Sequence, residues 1–345
     1  MSLPPVEVPQ GAIRFNTDSQ KLEFYAQDQW WEMVIDTPNL AVGSNTGAGA
    51  RGIFGGGAVP GANKTTIDYI NISSTGNAIK FGDLSAARRS TSACSSTTRG
   101  VFGSGADVPV TGTKIDFITI SSTGTATDFG TSFANGKRNA AGCSNATRGI
   151  FAGGNNDGSP SIFFNVIDYI TIATTGIIVD FGDLTRSVDG PSAFSSSVRG
   201  VFTGGASPAA SPAVTNVIDY VTISTTGNAT DFGDLTQSRR YGGGCSNATR
   251  GLSGGGSTPT TVNTIDYVTI ASLGNAVAFG NLTSARDLVG SCSSSIRGVW
   301  SSNSPGTDDT IDYVTIATQG NAVDFGNLFE ARGQTVGCSN AHGGL

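Results

Sequence analysis

The sequence predicts an all-β protein: a six-bladed β-propeller of four-stranded blades, preceded by a small N-terminal β-hairpin module. Three recurring dipeptides predict it. Arg-Gly begins at Arg51, Arg99, Arg148, Arg199, Arg250 and Arg297, and Ile-Asp at Ile67, Ile115, Ile167, Ile218, Ile265 and Ile311. Phe-Gly begins at Phe81, Phe129, Phe181, Phe232, Phe279 and Phe325. Ile-Asp and Phe-Gly stand 14 residues apart in every copy, while the interval from Arg-Gly to Ile-Asp runs from 14 to 19. Each unit therefore holds one rigid segment and one loop of variable length. Four short strands in a unit of ~50 residues is the arithmetic of a propeller blade. An open solenoid would need polar capping repeats at its ends, and the sequence has none.

The first 40 residues lie outside the repeat. Gly11 to Asn16 and Lys21 to Tyr25 alternate as two strands around a turn at Thr17 to Gln20, and Trp30 and Trp31 follow in a third. The order of Arg14, Phe15, Asn16, Leu22, Phe24, Tyr25 and Trp31 resembles a short module near the N-termini of many bacteriophage tail-fibre and virion-surface proteins. The resemblance implies attachment to a particle. About 40 residues make a poor independent core, so such a segment is expected to dock on something. Phe24, Tyr25, Trp30 and Trp31 are the expected anchors. The domain reading is residues 1–40 for attachment and 41–345 for the propeller.

Within each unit, the first strand carries Cys94, Cys143, Phe194, Cys245, Cys292 or Cys338, and the second is Arg-Gly followed by an apolar residue. The third reads Ile-Asp-Tyr-Val-Thr-Ile, with apolar residues on both faces, as suits a sheet covered on both sides. The fourth ends in Phe-Gly. β-branched and aromatic residues fill the last two strands, and a Gly-Asn turn between them places residues that tolerate positive φ. No segment holds a 3.6-residue period, so helix is expected to be nearly absent. Seven first-strand candidates, one of them weak at Val42 to Asn45, face six third strands. Gln334 to Asn340 is therefore expected to close the ring as the innermost strand of the first blade. An opening Arg (Arg88, Arg239, Arg286, Arg332), a strand ending in Gly-Gly, an Asp-Tyr strand and a late aromatic together resemble the Kelch repeat. Phe-Gly stands where that repeat usually has Trp, and one copy has Val188 in place of the opening Arg.

Composition narrows the chemistry. Charged residues are 13% of the chain, about half of ordinary usage. One histidine, His342, removes most routes through metal hydrolysis or a Ser-His-Asp triad. No cofactor and no metal are expected. Net charge −6 with pI about 4.7 argues against nucleic acid. No apolar run reaches the ~18–20 residues of a membrane helix, and the N-terminus does not read as a signal peptide. The repeated Asp and Arg offer one group six times, where catalysis needs different groups in different roles, so they are read as structural pairs. The cysteines share one position that Phe194 also fills, so they are read as buried apolar residues, reduced as in a cytoplasm. Asp-Phe-Gly at Asp128, Asp180, Asp231 and Asp324, the elbow-like spacing around Ser253, and the glycines before Arg51 are chance matches without their required contexts.

The loops between second and third strands vary, and each carries proline: Pro60, Pro109, Pro160, Pro208 with Pro212, Pro259 and Pro305. All emerge on one face, and variable loops on a repeated scaffold are where binding resides. The loop holding Asn155, Asn156, Asp157, Phe163 and Phe164 offers the polar and stacking groups that sugars require. The functional expectation is a non-enzymatic virion protein, made in the host cytoplasm, contacting other virion proteins and host-surface glycan as a homo-oligomer. A glycan-cleaving enzyme on a sialidase-like propeller and a bacterial lectin-like protein are the alternatives. For cleavage, unique acids and a nucleophile near the axis would be needed, and no such copy-specific cluster stands out in the sequence.

Overall fold

The computed structural model describes residues 8–9, 11–16, 21–32, 50–107, 110–156, 158, 160–208, 213–301 and 306–345. It divides into two compact units, Met1–Ala48 and Gly49–Leu345. No helix occurs among the described residues.

The first unit contains a three-stranded antiparallel meander, Ile13–Asn16, Lys21–Ala26 and Gln29–Glu32. The second and third strands turn through Gln27 and Asp28, whose φ values of 51° and 58° suit the twist of a two-residue hairpin. Thr17 to Gln20, the expected first turn, lies outside the described residues.

The second unit is a six-bladed propeller. Blade two shows the pattern: inner strand Ser92–Ser95, second strand Arg99–Gly103, third strand Lys114–Thr119 and outer strand Thr127–Ser132, all antiparallel. Blades three to six repeat it. In blade one the inner strand is Val336–Ser339, paired with Arg51–Gly55 in the register Val336↔Gly55 to Ser339↔Gly52. The ring is thus closed by its C-terminal strand, as the strand count requires. Val42 to Asn45 lies outside the described residues.

The apolar core lies between blades. One cluster joins Ile53 and Ile67 of blade one to Phe102 and Ile118 of blade two, and five others repeat the arrangement. The Arg-Gly motif builds each junction. Its glycine has no room for a side chain, because the first-strand residue of the preceding blade sits there. A Cβ on Gly298 would stand 2.8 Å from Cys245 Sγ, and one on Gly251 only 1.9 Å from the Phe194 ring. Its arginine lies over the third-strand aromatic ring of its own blade (Arg51 over Tyr69, 4.3 Å). The guanidinium then donates to a carbonyl of the next blade: Arg51 to Ile120, Arg99 to Ile172, Arg148 to Ile223, Arg199 to Ile270, Arg250 to Ile316, and Arg297 back to Ile72.

The other arginines anchor the segment entering each blade. Arg88, Arg239, Arg286 and Arg332 are buried against Asp116, Asp266, Asp312 and Asp68. Lys137 takes this place opposite Asp168 at 2.6 Å. In blade four Val188 occupies the position, and Arg186, two residues earlier, reaches Asp219 at 3.5 Å. The missing arginine is therefore replaced from a neighbouring position. Burial raises the carboxyl pKa of Asp68, Asp219 and Asp312, as expected where desolvation outweighs the partner's charge.

Phe-Gly marks the outer junction. The glycine follows the register shift that third and outer strands show in each blade, and the next blade's turn lies against it. A Cβ on Gly82 would be 2.0 Å from Gly124 O. In the Gly-Asn turns only the glycine has positive φ. The asparagine side chain instead accepts an N–H from the preceding blade's outer strand, as Asn228 does from Asp183 at 3.0 Å. This corrects the expectation that both residues serve the turn's backbone.

Two outcomes follow for stability. Deleting residues 334–345 removes the closing strand and should give a lower melting temperature and loss of monodispersity in size-exclusion chromatography. Gly251→Ala should destabilise by about 1–3 kcal/mol in denaturant titration, and adding Phe194→Ala should recover part of that loss.

Candidate functional site

The six inner strands surround a central channel whose two ends differ chemically. At the end nearest the turns into the second strands, one serine per blade forms a closed hydrogen-bonded ring. The hydroxyls of Ser95, Ser144, Ser195, Ser246, Ser293 and Ser339 each donate to the backbone carbonyl of the preceding blade's serine, at 2.6–2.8 Å. His342 seats on this ring with Nε2 3.1 Å from Ser95 O and 3.3 Å from Ser144 Oγ. Gly343 donates to Ser246 O, and a Cβ on Gly344 would lie 1.9 Å from Ser144 O. The C-terminal segment thus narrows this end to a cavity of about 50 Å³.

The five cysteines lie in the channel wall, turned into the blade junctions; all are buried and free. Burial pushes the Cys143 and Cys338 thiols up to about 12, which leaves them as unreactive thiols. Among the described residues, no group of three or more His, Cys, Asp or Glu could hold a metal ion.

The opposite end opens as a funnel of about 110 Å³. Three consecutive positions form its rim, and there the repeat stops repeating. The first reads Arg89, Arg138, Asp189, Arg240, Asp287, Gly333; the second Ser90, Asn139, Gly190, Tyr241, Leu288, Gln334; the third Thr91, Ala140, Pro191, Gly242, Val289, Thr335. The backbone remains sixfold at the second position, with φ between 52° and 64° in every copy. The reason is a chain of hydrogen bonds around the rim: Ser90 N to Gln334 O, Asn139 N to Ser90 O, Gly190 N to Asn139 O, Tyr241 N to Gly190 O and Leu288 N to Tyr241 O, at 2.7–3.1 Å. Five non-glycine residues hold a left-handed conformation that costs of order 1 kcal/mol each, as strained backbone does where the surroundings over-determine it.

The rim side chains form a polar cluster on blades three to six. Asp189 accepts from Tyr241 Oη at 2.6 Å and from Asn139 Nδ2 at 3.0 Å. Burial raises its carboxyl pKa, against the opposing effects of those hydrogen bonds and of Arg138 and Arg240. Burial and the adjacent carboxylate push the Tyr241 phenol up, so it stays protonated as a donor. Burial also raises Asp287, opposed by Arg240. Two polar atoms in the funnel wall are buried without a partner: Thr91 Oγ1 and Asn139 Oδ1. This cluster is the copy-specific chemistry absent from the sequence reading. Its signal was available at the variable positions just after the opening arginine.

The variable loops leave the same face. Antiparallel bridges join the rim to their first residues at Arg89↔Ala106, Arg138↔Asn155, Asp189↔Ala206, Arg240↔Ser257 and Gly333↔Ala58. In the loop expected to bind ligand, Asn155 is buried and bridges Phe163, with its side-chain oxygen on Arg138 Nε. Asn156 Oδ1 accepts from Gly158 and Ile162, so both amides shape the loop. Phe163 and Phe164 are half-buried, while Asp157 lies outside the described residues, as do Pro109, Pro212 and Pro305.

In the N-terminal sheet the expected anchors separate, because neighbours on a strand point to opposite faces. Ile13, Phe15, Phe24 and Trp31 form one exposed apolar face, with Ile13↔Phe24 and Phe24↔Trp31 as cross-strand pairs. Trp30 and Tyr25 meet edge-to-face at 5.3 Å on the other, where Arg14 lies 4.1 Å over Trp30 and pairs with Glu23.

No protein-family model matches the chain, and no curated protein matches it in sequence. Among solved structures, one described as "Structure of YjhT" matches with a TM-score of 0.61 at 11% identity, over 74% of this chain and 88% of that one. What the two share is the fold.

His342 supplies a direct test of the seated segment. Burial lowers its pKa to about 4 from an ordinary 6.5. A lowered pKa means that the seated form is favoured while the ring is neutral, above pH 6.5, and that this contribution is lost as pH falls through about 4. The single histidine Cε1–H signal should titrate near 4 in the folded protein; a midpoint near 6.5 would show the ring to be solvated.

Proposed function

We propose that this chain is a non-enzymatic bacteriophage virion protein, attached through its N-terminal sheet and displaying the propeller for binding. The observation that carries the reading is the N-terminal segment: its residue order resembles virion attachment modules, and its sheet leaves Ile13, Phe15, Phe24 and Trp31 exposed together. A small sheet with one apolar face uncovered is suited to burial against a partner, here another virion protein or a second copy of the chain. The propeller, Kelch-like in its order of signals, supports the adhesive half of the proposal. Loops of different length and an asymmetric rim share one face, and that face is assigned to host-surface glycan.

A second reading is favoured by one observation. Tyr241 and Asp189 in contact, flanked by Arg138 and Arg240, are the unequal groups that glycan cleavage on a propeller would demand. In that reading Asp189 would be the base that takes the proton of the Tyr241 hydroxyl, which donates to it at 2.6 Å. Product analysis after incubation with host-surface polysaccharide separates the two: released reducing ends would establish cleavage.

Particles carrying Phe24→Ala with Trp31→Ala should lack this protein on immunoblots while the isolated mutant melts like wild type. Phe163→Ala with Phe164→Ala should do the reverse, giving normal incorporation and weaker adsorption to cells. Normal incorporation of the first mutant would refute attachment through this face. Normal adsorption of the second would remove the loop from the binding surface.

A further inference from the structure

We infer that the outer edge of blade two is a pairing surface for a second copy of this chain, joined antiparallel across a twofold axis. Such pairing needs neither the virion reading nor the loop face.

Five of the six outer strands are covered by the blade that follows. Its turn between third and outer strands lies along the preceding edge and donates two backbone hydrogen bonds, as Gly76 N to Phe325 O at 2.8 Å and Ala78 N to Asn327 O at 2.7 Å. Equivalent pairs reach the outer strands of blades one, three, four and five at 2.7–3.0 Å. Blade two has neither bond: among the described residues, Gly176 and Ile178 donate nothing to Thr127–Ser132. A Cβ on Gly130 would meet only Gly176, at 3.7 Å. On the other five Phe-Gly glycines it would lie within 2.6 Å of the turn's carbonyl oxygen.

Two sequence changes cause the gap. Phe129 to Lys137 spans eight positions, where Phe81 to Arg88 and the corresponding intervals of the other copies span seven. The extra residue widens the bulge, so Phe129, Gly130 and Thr131 lie between the pairs Asp116↔Asp128 and Lys114↔Ser132, opposite Ile115 alone. Asp128 holds this bulge by accepting from Gly130 N at 2.7 Å. Across the gap, Ile177 replaces the asparagine whose side chain bonds the preceding strand in four copies, and it is 70% exposed. Ile178 pairs instead with Ile170 of its own blade.

An uncovered strand edge is a template for another strand. The described propeller has one such edge, so a second copy satisfies it by offering the same edge, and assembly stops at two. Antiparallel pairing centred on Gly130 sets Phe129 beside Thr131 of the second copy, and Asp128 beside its Ser132. Lys114 flanks Ser132 within each copy, so each Asp128 comes about 10 Å, two strand spacings, from the second copy's Lys114. Lys114 is exposed, and no described carboxylate pairs with it. The two copies therefore meet with complementary charge twice over. Asp180, the other exposed charge beside the gap, lies off this edge, in the blade-three outer strand Ile178–Asp183. Ile177 and Val179 add apolar surface beside it.

The test is sedimentation velocity over the micromolar range, on the full chain carrying Phe24→Ala and Trp31→Ala so that the N-terminal sheet does not contribute. A monomer–dimer equilibrium without larger species is expected. Deleting Thr131 together with Ile177→Asn copies the other junctions; it should give a monomer with a raised melting temperature. Lys114→Glu, at an exposed unpaired site, should leave melting unchanged and weaken dimerisation about tenfold. A monomer throughout would show the bulge to guard the edge and would overturn the inference. So would larger assemblies, a dimer that survives the Thr131 deletion with Ile177→Asn, or a dissociation constant unmoved by Lys114→Glu.

Discussion

The closure of the ring on itself is the constraint on which the other features depend. Each blade buries its apolar faces only against its two neighbours, so a missing junction would expose two core surfaces at once. The pairing of Val336–Ser339 with Arg51–Gly55 removes that possibility, joining strands nearly 290 residues apart. Everything repeated in the sequence then reads as a device for bringing blades close. The Arg-Gly glycine admits the neighbour's cysteine or phenylalanine, its arginine reaches the next blade's carbonyl, and the inner serines bond around the axis. Because the ring is closed, these bonds leave no terminal blade unsatisfied, which is why no polar cap is needed.

Buried charge is handled by the same economy. A guanidinium and a carboxylate taken out of water contribute little net stability, but they fix the path of the segment entering each blade. Blade four shows that the aspartate, rather than the arginine's position, is the fixed requirement. With Val188 in the usual place, Arg186 reaches Asp219 from one side, and Thr185 adds hydrogen bonds at 2.8 Å. A buried carboxylate is expensive to leave unpaired, so the pairing persists through a change of partner.

Repetition and variation occupy different parts of the propeller for a physical reason. Positions that pack blades must be alike because the junctions are alike. The rim points into open space at the axis, where six equivalent backbones bring six different side chains within reach of one another. Small sequence differences are therefore concentrated there into one asymmetric site. The hydrogen-bonded rim holds even Tyr241, Leu288 and Gln334 left-handed, so the scaffold dictates the backbone and leaves the chemistry free.

Much of the fold was legible from spacing alone. The three dipeptide series of six copies each, the constant 14-residue interval and the surplus first strand determine blade number, strand count and closure, because these are consequences of periodicity and counting. The burial of the cysteines was legible from the substitution by Phe194. Tertiary structure decided what periodicity cannot carry. Strand alternation separated Trp30 from Trp31, which adjacency in sequence had joined. Folding the loop turned Asn155 and Asn156 inward to its own backbone and to Arg138. Most of all, Thr91, Asn139, Asp189 and Tyr241 lie up to 150 residues apart and belong to four different blades. Only the closed ring brings their side chains to one axis, because proximity across blades is a property of the whole circle and of no single repeat.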